Sequence, residues 1–337
     1  MKRDSWKPSW GSGLGANEIF TYKDQSLMQF PFDLINDAEF DVVGFGTNAV
    51  DFLIQVPHYP EFNSKVELTD YTQAAGGEVA TTMVGLQRLG LSTSYIGRFG
   101  DDQSGSFGLQ TLRDEGVNIT YAEQVAGAKT QIAFIIIDER SGERTVIWKR
   151  DTRLAYDEAE APVAAVARCK MLHLTPHDIK ACIRMAKRAK ELGVIVSADI
   201  DNDFSGIAEL LKYVDIAVMS ADFPGKFLGI ADRRDALIEM HRRYGSAIVG
   251  ITLGETGSLL LCQNEFIETP GFHVPGGCRD TTGAGDSYRV GLIYGLLTGE
   301  SVERSARLAN AVAALKCRAV GARTALPTQS EVAELLG

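Results

Sequence analysis

Hydrophobic residues follow two alternating patterns along most of the chain. From residue 178 to 192, apolar side chains recur at the spacing of one helix face, and Gly193 follows as a helix stop. These apolar positions are Ile179, Cys182, Ile183, Ala186 and Leu192. The apolar run 194–199 then indicates a buried strand, and residues 236–253 repeat the same order of helix and strand. This alternation predicts an α/β fold with a doubly wound, mainly parallel sheet that is covered by helices on both faces.

Two segments have a different pattern, which is typical of antiparallel strands. They span residues 65–75 and 130–150, and the second contains the turn residues Ser141-Gly142 between two apolar runs. We expect them to form a small β-sheet that serves as a lid over the main sheet. Regular structure begins near Phe40, so residues 1–38 are interpreted as an N-terminal arm of unknown role and residues 39–337 as one domain with its lid.

The composition narrows the class of protein. The chain has 337 residues, 45% of them hydrophobic, and a formal net charge of −10, so a surface for nucleic acid is not expected. No run approaches the ~20 apolar residues that span a bilayer, and the N-terminus lacks the apolar core of a signal peptide. Five scattered cysteines without a Cys-x-x-Cys pair favour neither a disulfide framework nor a zinc site. We expect a cytoplasmic globular protein without a membrane or nucleic-acid partner.

The strongest chemical signal is the run Asp280-Thr-Thr-Gly-Ala-Gly-Asp286, which a helical pattern follows directly. At such a helix start, the backbone N–H groups of Gly283, Ala284 and Gly285 are expected to be unpaired and to form an anion hole. Asp286 would then accept the proton of a hydroxyl that attacks a phosphoryl group. A helix cap with closely packed glycines explains these residues equally well. The chain has neither a P-loop nor a dinucleotide-binding fingerprint.

Several motifs resemble, in order, those of the ribokinase-like (phosphofructokinase B) carbohydrate kinases. The run 280–286 resembles the C-terminal signature of this family, and Gly-Gly-Glu-Val-Ala-Thr at 76–81 resembles its N-terminal signature. Residues 96–102, 251–257 and 270–272 are similar to other segments of the family. The resemblance covers about residues 41–327. It implies in-line phosphoryl transfer from ATP, with Mg²⁺, to a small molecule held between the lid and the main sheet.

The resemblance also implies roles for individual residues. The catalytic base of the family falls on Asp286 and its anion hole on residues 283–285. The positions that match substrate contacts are Asn48, Asp51, Gly76, Gly77, Glu78 and Thr81. The positions that match ATP contacts are Ser220, Thr252, Gly254, Gly257 and Asn310. Asp280 and Thr282 lie where some relatives bind a monovalent cation such as K⁺.

Three positions depart from the family pattern. Thr81 stands where many relatives have a sugar-binding asparagine. Residues 220–223, Ser-Ala-Asp-Phe, replace the Asn-x-x-Glu motif that organises Mg²⁺ and phosphate, so that Mg²⁺ would be bound through water, Asp199 or Asp222. Thr175 stands where ribokinase has a glutamate, which argues against ribose as the substrate.

These observations lead to a kinase hypothesis with two alternatives. We expect a carbohydrate kinase that transfers phosphate from ATP to a hydroxyl of a sugar or sugar acid. An adenosine-like nucleoside kinase of the same family would need apolar walls for a base, which Tyr71, Phe134 and Trp148 could supply. A non-catalytic sugar-binding regulatory protein on the same fold is the other alternative. The apolar strand 132–137 also predicts a homodimer through the lid.

Two charged clusters near the predicted site have competing interpretations. The basic run Lys149–Arg153 follows Trp148 and could contact an anionic substrate, or it could be solvated. His173 and His177 flank a strand end, where a loop or capping role explains them better than metal ligation, because their spacing matches no zinc motif.

Overall fold

The computed structural model describes residues 27–35 and 37–337 of the chain. The strands are β1 (Phe40–Phe45), β2 (Ala49–Val56), β3 (Asp70–Gly76), β4 (Thr93–Gly100), β5 (Asn118–Val125), β6 (Ile132–Asp138), β7 (Arg144–Lys149), β8 (Cys169–Leu174), β9 (Ile195–Ile200), β10 (Ile216–Ser220), β11 (Ile248–Thr252), β12 (Ser258–Cys262) and β13 (Glu265–Thr269). The helices are α1 (Glu78–Arg88), α2 (Gln103–Asp114), α3 (Ile179–Leu192), α4 (Ile207–Leu211), α5 (Phe223–Leu228), α6 (Arg233–Tyr244), α7 (Ala284–Leu297), α8 (Val302–Lys316) and α9 (Gln329–Leu336).

The main sheet has nine strands in the order β13-β12-β11-β10-β9-β8-β1-β4-β5. Neighbouring strands from β11 to β5 in this order are parallel, whereas β12 and β13 add an antiparallel edge. Because β1 lies between β8 and β4, the strand order reverses there, and a crevice is expected at the carboxyl ends of β1 and β8. The predicted mainly parallel sheet is confirmed.

Two hydrophobic cores cover the two faces of this sheet. One core packs residues of α1, α2, α7, α8 and α9 against the sheet. The other packs residues of α3, α4, α5 and α6 against the opposite face. The α3 helix ends at Gly193, as its apolar periodicity predicts. The doubly wound arrangement therefore follows from helices that bury apolar side chains against both faces of an apolar sheet.

A second, smaller sheet has four strands in the order β3-β2-β6-β7. One of its faces buries apolar side chains against the main domain; these are Leu53, Ala133, Ile135 and Ile137, with Ala74 and Val320 packed beside them. The segments 65–75 and 130–150 contain three of its strands, although β3 begins only at Asp70. The strand β2 was not predicted from the sequence; it lies between β3 and β6 and pairs with both. We call this sheet the lid.

The predicted N-terminal arm lies largely outside the described residues, which omit 1–26 and Asn36. Residues 27–35 form no helix or strand and pack on the main domain. The N–H of Met28 donates to the carboxylate of Glu303 at 3.2 Å, and its carbonyl accepts from the N–H of Val302 at 2.9 Å. This part of the arm therefore binds the N-terminus of α8.

Two observations bear on the class of protein. All five cysteines are free, and only Cys278 is exposed. In residues 27–35 and 37–337, no helix combines the length and the apolar character that crossing a membrane requires.

Candidate active site

Asp286 is the third residue of α7, and Gly283 is the N-cap of this helix. Gly283 has a φ of 77°, and a Cβ at this position would lie 3.0 Å from the Cα of Ala322. Any other residue would be strained and crowded in this turn. The glycine-rich run therefore places a half-buried carboxylate at a helix N-terminus.

The turn before α7 leaves several backbone N–H groups without a partner. Those of Gly283, Gly285 and Asp286 have no acceptor within the described part of the chain. The N–H of Ala284 instead donates to the carbonyl of Thr281 at 3.1 Å. The prediction that all three of residues 283–285 are unpaired is thus wrong for Ala284, because the turn closes its own hydrogen bond. The remaining amides, at the positive end of the helix dipole, can bind an anion.

The electrostatic surroundings of Asp286 suit a proton acceptor. Burial raises the pKa of Asp286 to about 7, and the negative charges of Asp199 and Asp201 contribute to this rise. The guanidinium groups of Arg289 and Arg144 lower the pKa and partly offset these effects. A carboxyl group whose pKa lies near neutral pH can both accept and release a proton under physiological conditions.

Arg289 is a buried charge of α7 that the sequence analysis missed. Its guanidinium forms an ion pair with Asp199, at the end of β9, and donates to the carbonyl of Val218 at 3.0 Å. Burial raises the pKa of Asp199 to about 6, and Arg289 opposes this shift. Asp199 is therefore paired with Arg289 and is not free to bind Mg²⁺, contrary to the expectation that Asp199 could hold this ion. The signal that could have identified Arg289 was a charged residue next to the apolar run 290–297 of this helix.

Asp51 and Asn48 lie together against the start of α1. Asp51, on β2, is 4% exposed, and a Cβ on Gly76 would lie 1.9 Å from its Oδ2. Gly77 has a φ of 89°, and a Cβ there would lie 2.3 Å from the Cα of Asn48. The Gly76-Gly77 pair is therefore needed for this close approach of two backbones. Asn48 Oδ1 is buried without a hydrogen-bond partner within the described residues.

Arg323 is a second buried charge that the sequence analysis did not identify. Its guanidinium donates to the carbonyl of Gly76, to Thr81 Oγ1 at 3.4 Å and to Thr111 Oγ1 at 3.4 Å. Burial raises the pKa of Asp51 to about 6, and the positive charge of Arg323 opposes that rise. Thr81 is fully buried, and its hydroxyl accepts from Arg323.

Glu78, the first residue of α1, lies beside an aromatic group. Its carboxylate accepts from Thr47 Oγ1 at 3.2 Å and lies 3.6 Å from Nδ1 of His177. The His177 ring is 6.4 Å from that of Trp148, on β7, and 5.2 Å from that of Phe204. Burial raises the pKa of Glu78 well above its usual range. Trp148 of the lid thus lies beside His177, and Glu78 and Phe204 also pack around this histidine.

The aromatic residues of the lid lie on two different faces. The pairing of β2 with β6 places Phe134 opposite Phe52, and the two rings stack at 5.1 Å, while Tyr71 stacks on Phe52 at 6.3 Å. Successive strand residues point to opposite faces, so these three rings lie on the face opposite to Asp51. Trp148 pairs with Ala133 on the face of Asp51. The prediction that Tyr71 and Phe134 form acceptor walls is therefore wrong, and only Trp148 is placed to do so.

The lid also contacts the loop that precedes α7. Arg144, the first residue of β7, donates to Thr281 Oγ1 at 2.6 Å. The hairpin turn of the lid approaches the same loop, since a Cβ on Gly142 would lie 3.5 Å from the carbonyl of Arg279. The lid thus brings a positive charge to the anion-binding turn.

The basic run Lys149–Arg153 is largely neutralised within the protein. Arg150 forms two hydrogen bonds with the carboxylate of Asp178, at 2.8 and 2.7 Å. Arg153 pairs with Asp151, which is exposed to a small extent only. The idea that these arginines bind an anionic substrate is not supported, because each already has a carboxylate partner.

His173 and His177 do not form a metal site. His173 is fully buried in the main sheet, with Nδ1 3.3 Å from Ser197 Oγ, and burial lowers its pKa to about 3. Burial also lowers the pKa of His177. No group of three His, Cys, Asp or Glu side chains in the described ranges is arranged to bind a metal ion. Both histidines are therefore neutral side chains of the fold.

The residues expected at the nucleotide follow the carboxyl ends of β10 and β11. Ser220 ends β10, and its hydroxyl donates to the carbonyl of Asp201 at 3.3 Å. Both residues line a cleft of about 500 Å³. Thr252 ends β11, and Gly254 and Gly257 flank the turn into β12. These four predicted nucleotide residues thus lie at the ends of neighbouring strands.

Asn310 is buried in α8 and holds this helix against the antiparallel edge of the main sheet. Its Nδ2 donates to Ser258 Oγ at 3.1 Å, to the carbonyl of Thr269 at 3.3 Å and to the carbonyl of Ala306 at 3.2 Å. The amide nitrogen is therefore committed to the protein, and only Oδ1 is left for a nucleotide.

Asp280 and Thr282 lie in the buried part of the turn that leads to α7. Asp280 Oδ1 accepts from the N–H of Thr282 and Oδ2 accepts from the N–H of Gly321, both at 2.8 Å. The carbonyl of Asp280 accepts from Nζ of Lys316 at 2.8 Å. Thr282 Oγ1 is buried without a partner in the described residues. A lysine ammonium thus lies beside Asp280, one of the two residues predicted to bind a monovalent cation.

Comparisons with known proteins agree with this geometry. The chain is 27% identical over 293 residues to a nucleoside kinase of Methanothermobacter thermautotrophicus, which covers 86% of this chain and 94% of the relative. It is 27% identical over 321 residues to fructokinase-2 of Oryza sativa subsp. japonica, covering 88% of this chain and 93% of the relative. Arabidopsis thaliana ribokinase, solved with ribose and ATP, superposes with a TM-score of 0.76 at 24% identity, covering 88% and 98% of the two chains.

The family assignment depends on a match along most of the chain. The sequence profile of the pfkB family carbohydrate kinases matches residues 40–329, which include both sheets and the turn before α7. The superposition with Arabidopsis thaliana ribokinase covers 88% of this chain and shows the same fold. The chain therefore belongs to the pfkB family of carbohydrate kinases, as its motifs predict.

Proposed function

We propose that this protein transfers the γ-phosphoryl group of ATP to a hydroxyl of a sugar or sugar acid, with Asp286 as the base. One observation carries the proposal: the half-buried Asp286 directly follows the unpaired amides of Gly283 and Gly285 at the N-terminus of α7. A proton acceptor and an anion site within one helical turn are the two groups that phosphoryl transfer to a hydroxyl requires.

The reaction follows from the roles of these groups. The acceptor oxygen attacks the γ-phosphorus in line, and its proton passes to the carboxylate of Asp286. The bond from the γ-phosphorus to the bridging oxygen breaks, and ADP leaves with the electron pair. The free amides of the turn and the α7 dipole stabilise the charge on the equatorial oxygens. Arg144, which the lid brings to Thr281, adds a positive charge on the other side.

Mg²⁺ would neutralise the charge of the ATP phosphates in this reaction. The described residues offer no group of three ligands for it, but Asp201 and Asp222 line the cleft at the ends of β9 and β10. Mg²⁺ commonly keeps several waters and binds proteins through one or two carboxylates and substrate phosphates. Asp201 and Asp222 therefore fit such an ion, with water in between.

The acceptor site is proposed to lie around Asp51. Its carboxylate and the unpartnered Oδ1 of Asn48 can accept hydrogen bonds from hydroxyl groups. The backbone of Gly76 and Gly77 allows close approach. Glu78 follows Gly77 directly, at the start of α1, and lies next to His177. A cluster of hydrogen-bond acceptors is suited to a polyhydroxylated substrate.

A nucleoside kinase is the second candidate, and one observation favours it. The rings of Trp148, His177 and Phe204 form an aromatic group on the side of the lid that faces Asp51. Such an aromatic surface can stack on the base of a nucleoside, whereas a sugar has no base to stack on it.

Measurement of ADP release with a panel of sugars, sugar acids and nucleosides tests both candidates. The leading proposal predicts turnover that is stimulated by a sugar or sugar acid and abolished by Asp286→Asn. Stimulation by nucleosides alone would select the second candidate. If no compound stimulates turnover but some raise the melting temperature, the phosphotransferase proposal is wrong.

We also propose a homodimer formed by the outer face of the lid. The face opposite to Asp51 exposes Phe134 by 42%, Ile147 by 55% and Tyr71 by 51%. Apolar side chains grouped on one face of a sheet are typical of an interface. A second copy of the chain would cover them by packing the two lids face to face.

A further inference from the structure

Lys316, the last residue of α8, carries a completely buried ammonium group. Both Lys316 and Asp280 are 0% exposed, and Lys316 Nζ lies 2.8 Å from the carbonyl oxygen and 3.9 Å from Oδ2 of Asp280. An isolated ion is costly to bury, so a buried ammonium needs oxygen partners of this kind. Lys316 is also in the last turn of α8, where the helix dipole favours a positive charge.

The pair joins the two loops that form the anion-binding turn. Asp280 Oδ1 holds the N–H of Thr282, and Oδ2 holds the N–H of Gly321. Three residues after Asp280, Gly283 packs against Ala322, one residue after Gly321. The carboxylate of Asp280 thus fixes both loops, and the Lys316 ammonium balances its charge.

A K⁺ ion does not fit beside this lysine. The resemblance to the family indicates a monovalent cation at Asp280 and Thr282, but each oxygen of the Asp280 carboxylate already accepts an N–H. A second cation beside the buried ammonium would be repelled by it, because charges inside a protein are screened less than charges in water. The lysine ammonium is itself a compact cation with three donors.

We propose that the ammonium of Lys316 takes the place of the monovalent cation, so that this kinase needs no K⁺. The inference relies on the proposed function for its kinetic part only. Lys316 is a positioning residue: it keeps residues 280–283 in place for the amides of Gly283 and Gly285, and it touches no reacting atom.

The first test uses the unmodified full-length protein. Its melting temperature and its ATP turnover are measured in KCl, NaCl and choline chloride at equal ionic strength. We expect the same values in all three salts. A rise in melting temperature or in turnover that is specific to KCl overturns the inference. The melting temperature needs no substrate, so this inference can fail or hold independently of the proposed function.

The second test removes the internal cation. Lys316→Ala is expected to lower turnover by about 10- to 100-fold in choline chloride, because the anion-binding turn is no longer held in place. KCl or NH₄Cl should restore both turnover and melting temperature, and NaCl less so. The control is Lys212→Ala, which removes an exposed lysine paired with Glu209 and should respond equally to all salts.

Lys316→Ala still tests the proposal if this variant folds poorly. If Lys316→Ala has no cooperative melting transition in choline chloride, the transition should return in KCl. Equal behaviour of Lys316→Ala in all salts, folded or unfolded, would mean that the lysine is only a structural ion-pair partner, and the inference would be wrong.

Discussion

Arg289 forms a buried ion pair with Asp199, and it does so three residues after Asp286 on the same helix. The guanidinium therefore pairs with the carboxylate at the end of β9, and it lies on the same helix as the carboxylate proposed as the base. Burial and the charges of Asp199 and Asp201 raise the pKa of Asp286, and the positive charge of Arg289 partly offsets that rise.

Replacement of Asp286 by asparagine should separate activity from stability. Asp286→Asn should lower kcat by about 10²- to 10⁴-fold, because the general base is lost. The pKa of Asp286 is raised in the folded protein to about 7, so its ionisation costs stability as the pH rises through 7. The variant should therefore melt about 2 to 4 °C higher than the wild type at pH 8, and the difference should be smaller at pH 5, where the folded carboxyl is still protonated.

Steady-state kinetics and calorimetry at the two pH values check this expectation. Asp114→Asn, at an exposed position of α2, is the matched control and should change neither quantity. Near wild-type turnover in Asp286→Asn would remove Asp286 as the base.

The pH dependence of kcat/KM should report the pKa of Asp286. Activity requires the ionised carboxylate, so kcat/KM should fall about tenfold per pH unit below pH 7. Asp199 and Asp201 raise this pKa, and Arg289 and Arg144 lower it. Arg289→Met should therefore move the acid limb of the profile to higher pH, and Arg289→Lys should move it less.

Loss of Arg289 also leaves Asp199 as an unpaired buried charge. The double variant Arg289→Met/Asp199→Asn removes both partners and keeps the fold testable. If the profile of Arg289→Met is unchanged or moves to lower pH, Arg289 does not act on Asp286.

Arg144 should affect turnover more than acceptor binding. It donates to Thr281 Oγ1 at 2.6 Å and lowers the pKa of Asp286 from the lid side. Arg144→Ala should lower kcat by about 10-fold or more with little change in KM, because a charge near the transferred group is lost. Arg140→Ala, in the same hairpin and paired with Asp138, is the control and should leave kcat unchanged. A change in KM alone would assign Arg144 to substrate binding.

Neighbouring residues on β7 should differ in their effect on the acceptor. Trp148 lies on the face of Asp51, whereas Ile147 pairs with Phe134 on the outer face. Trp148→Ala should raise the KM of the acceptor severalfold, since an aromatic contact contributes about 0.5–1.5 kcal/mol beyond its buried area. Ile147→Ala should not. Equal effects of the two variants in steady-state kinetics would contradict the assignment of faces.

Ile147 should instead contribute to self-association. Ile147→Glu buries a charge in the proposed interface between lids and should shift the mass in light scattering from dimer to monomer. Lys149→Glu, also on the outer face but at the strand end, tests whether charge alone is responsible and should have a smaller effect. A monomeric wild-type protein at working concentration would contradict the dimer proposal.

Much of the fold could be predicted from local patterns in the sequence. The helix 179–192 with its stop at Gly193, and the strands 195–200 and 248–252, follow from apolar periodicity, because each pattern is a property of one segment. The turn before Asp286 was identified for the same reason, since a glycine-rich helix start has a local signature.

Other features depend on contacts between distant segments and were not predictable from the sequence alone. Arg323 meets Thr81 across 242 positions, and Arg144 meets Thr281 across 137. The strand β2 was missed, and the outer placement of Tyr71 and Phe134 is set by the strand register, where a shift of one residue exchanges the two faces.

The sequence by itself determined the family, the α/β architecture and the position of the proposed base, because each of these is encoded in short ordered motifs. Only the tertiary structure decided which charges surround Asp286 and Asp280. The sequence does not show which groups Arg289 and Lys316 contact, and they become internal partners of carboxylates only when α7 and α8 pack against the loops at the ends of the sheet. Burial gives these pairs their strength, and burial is a property of the assembled fold.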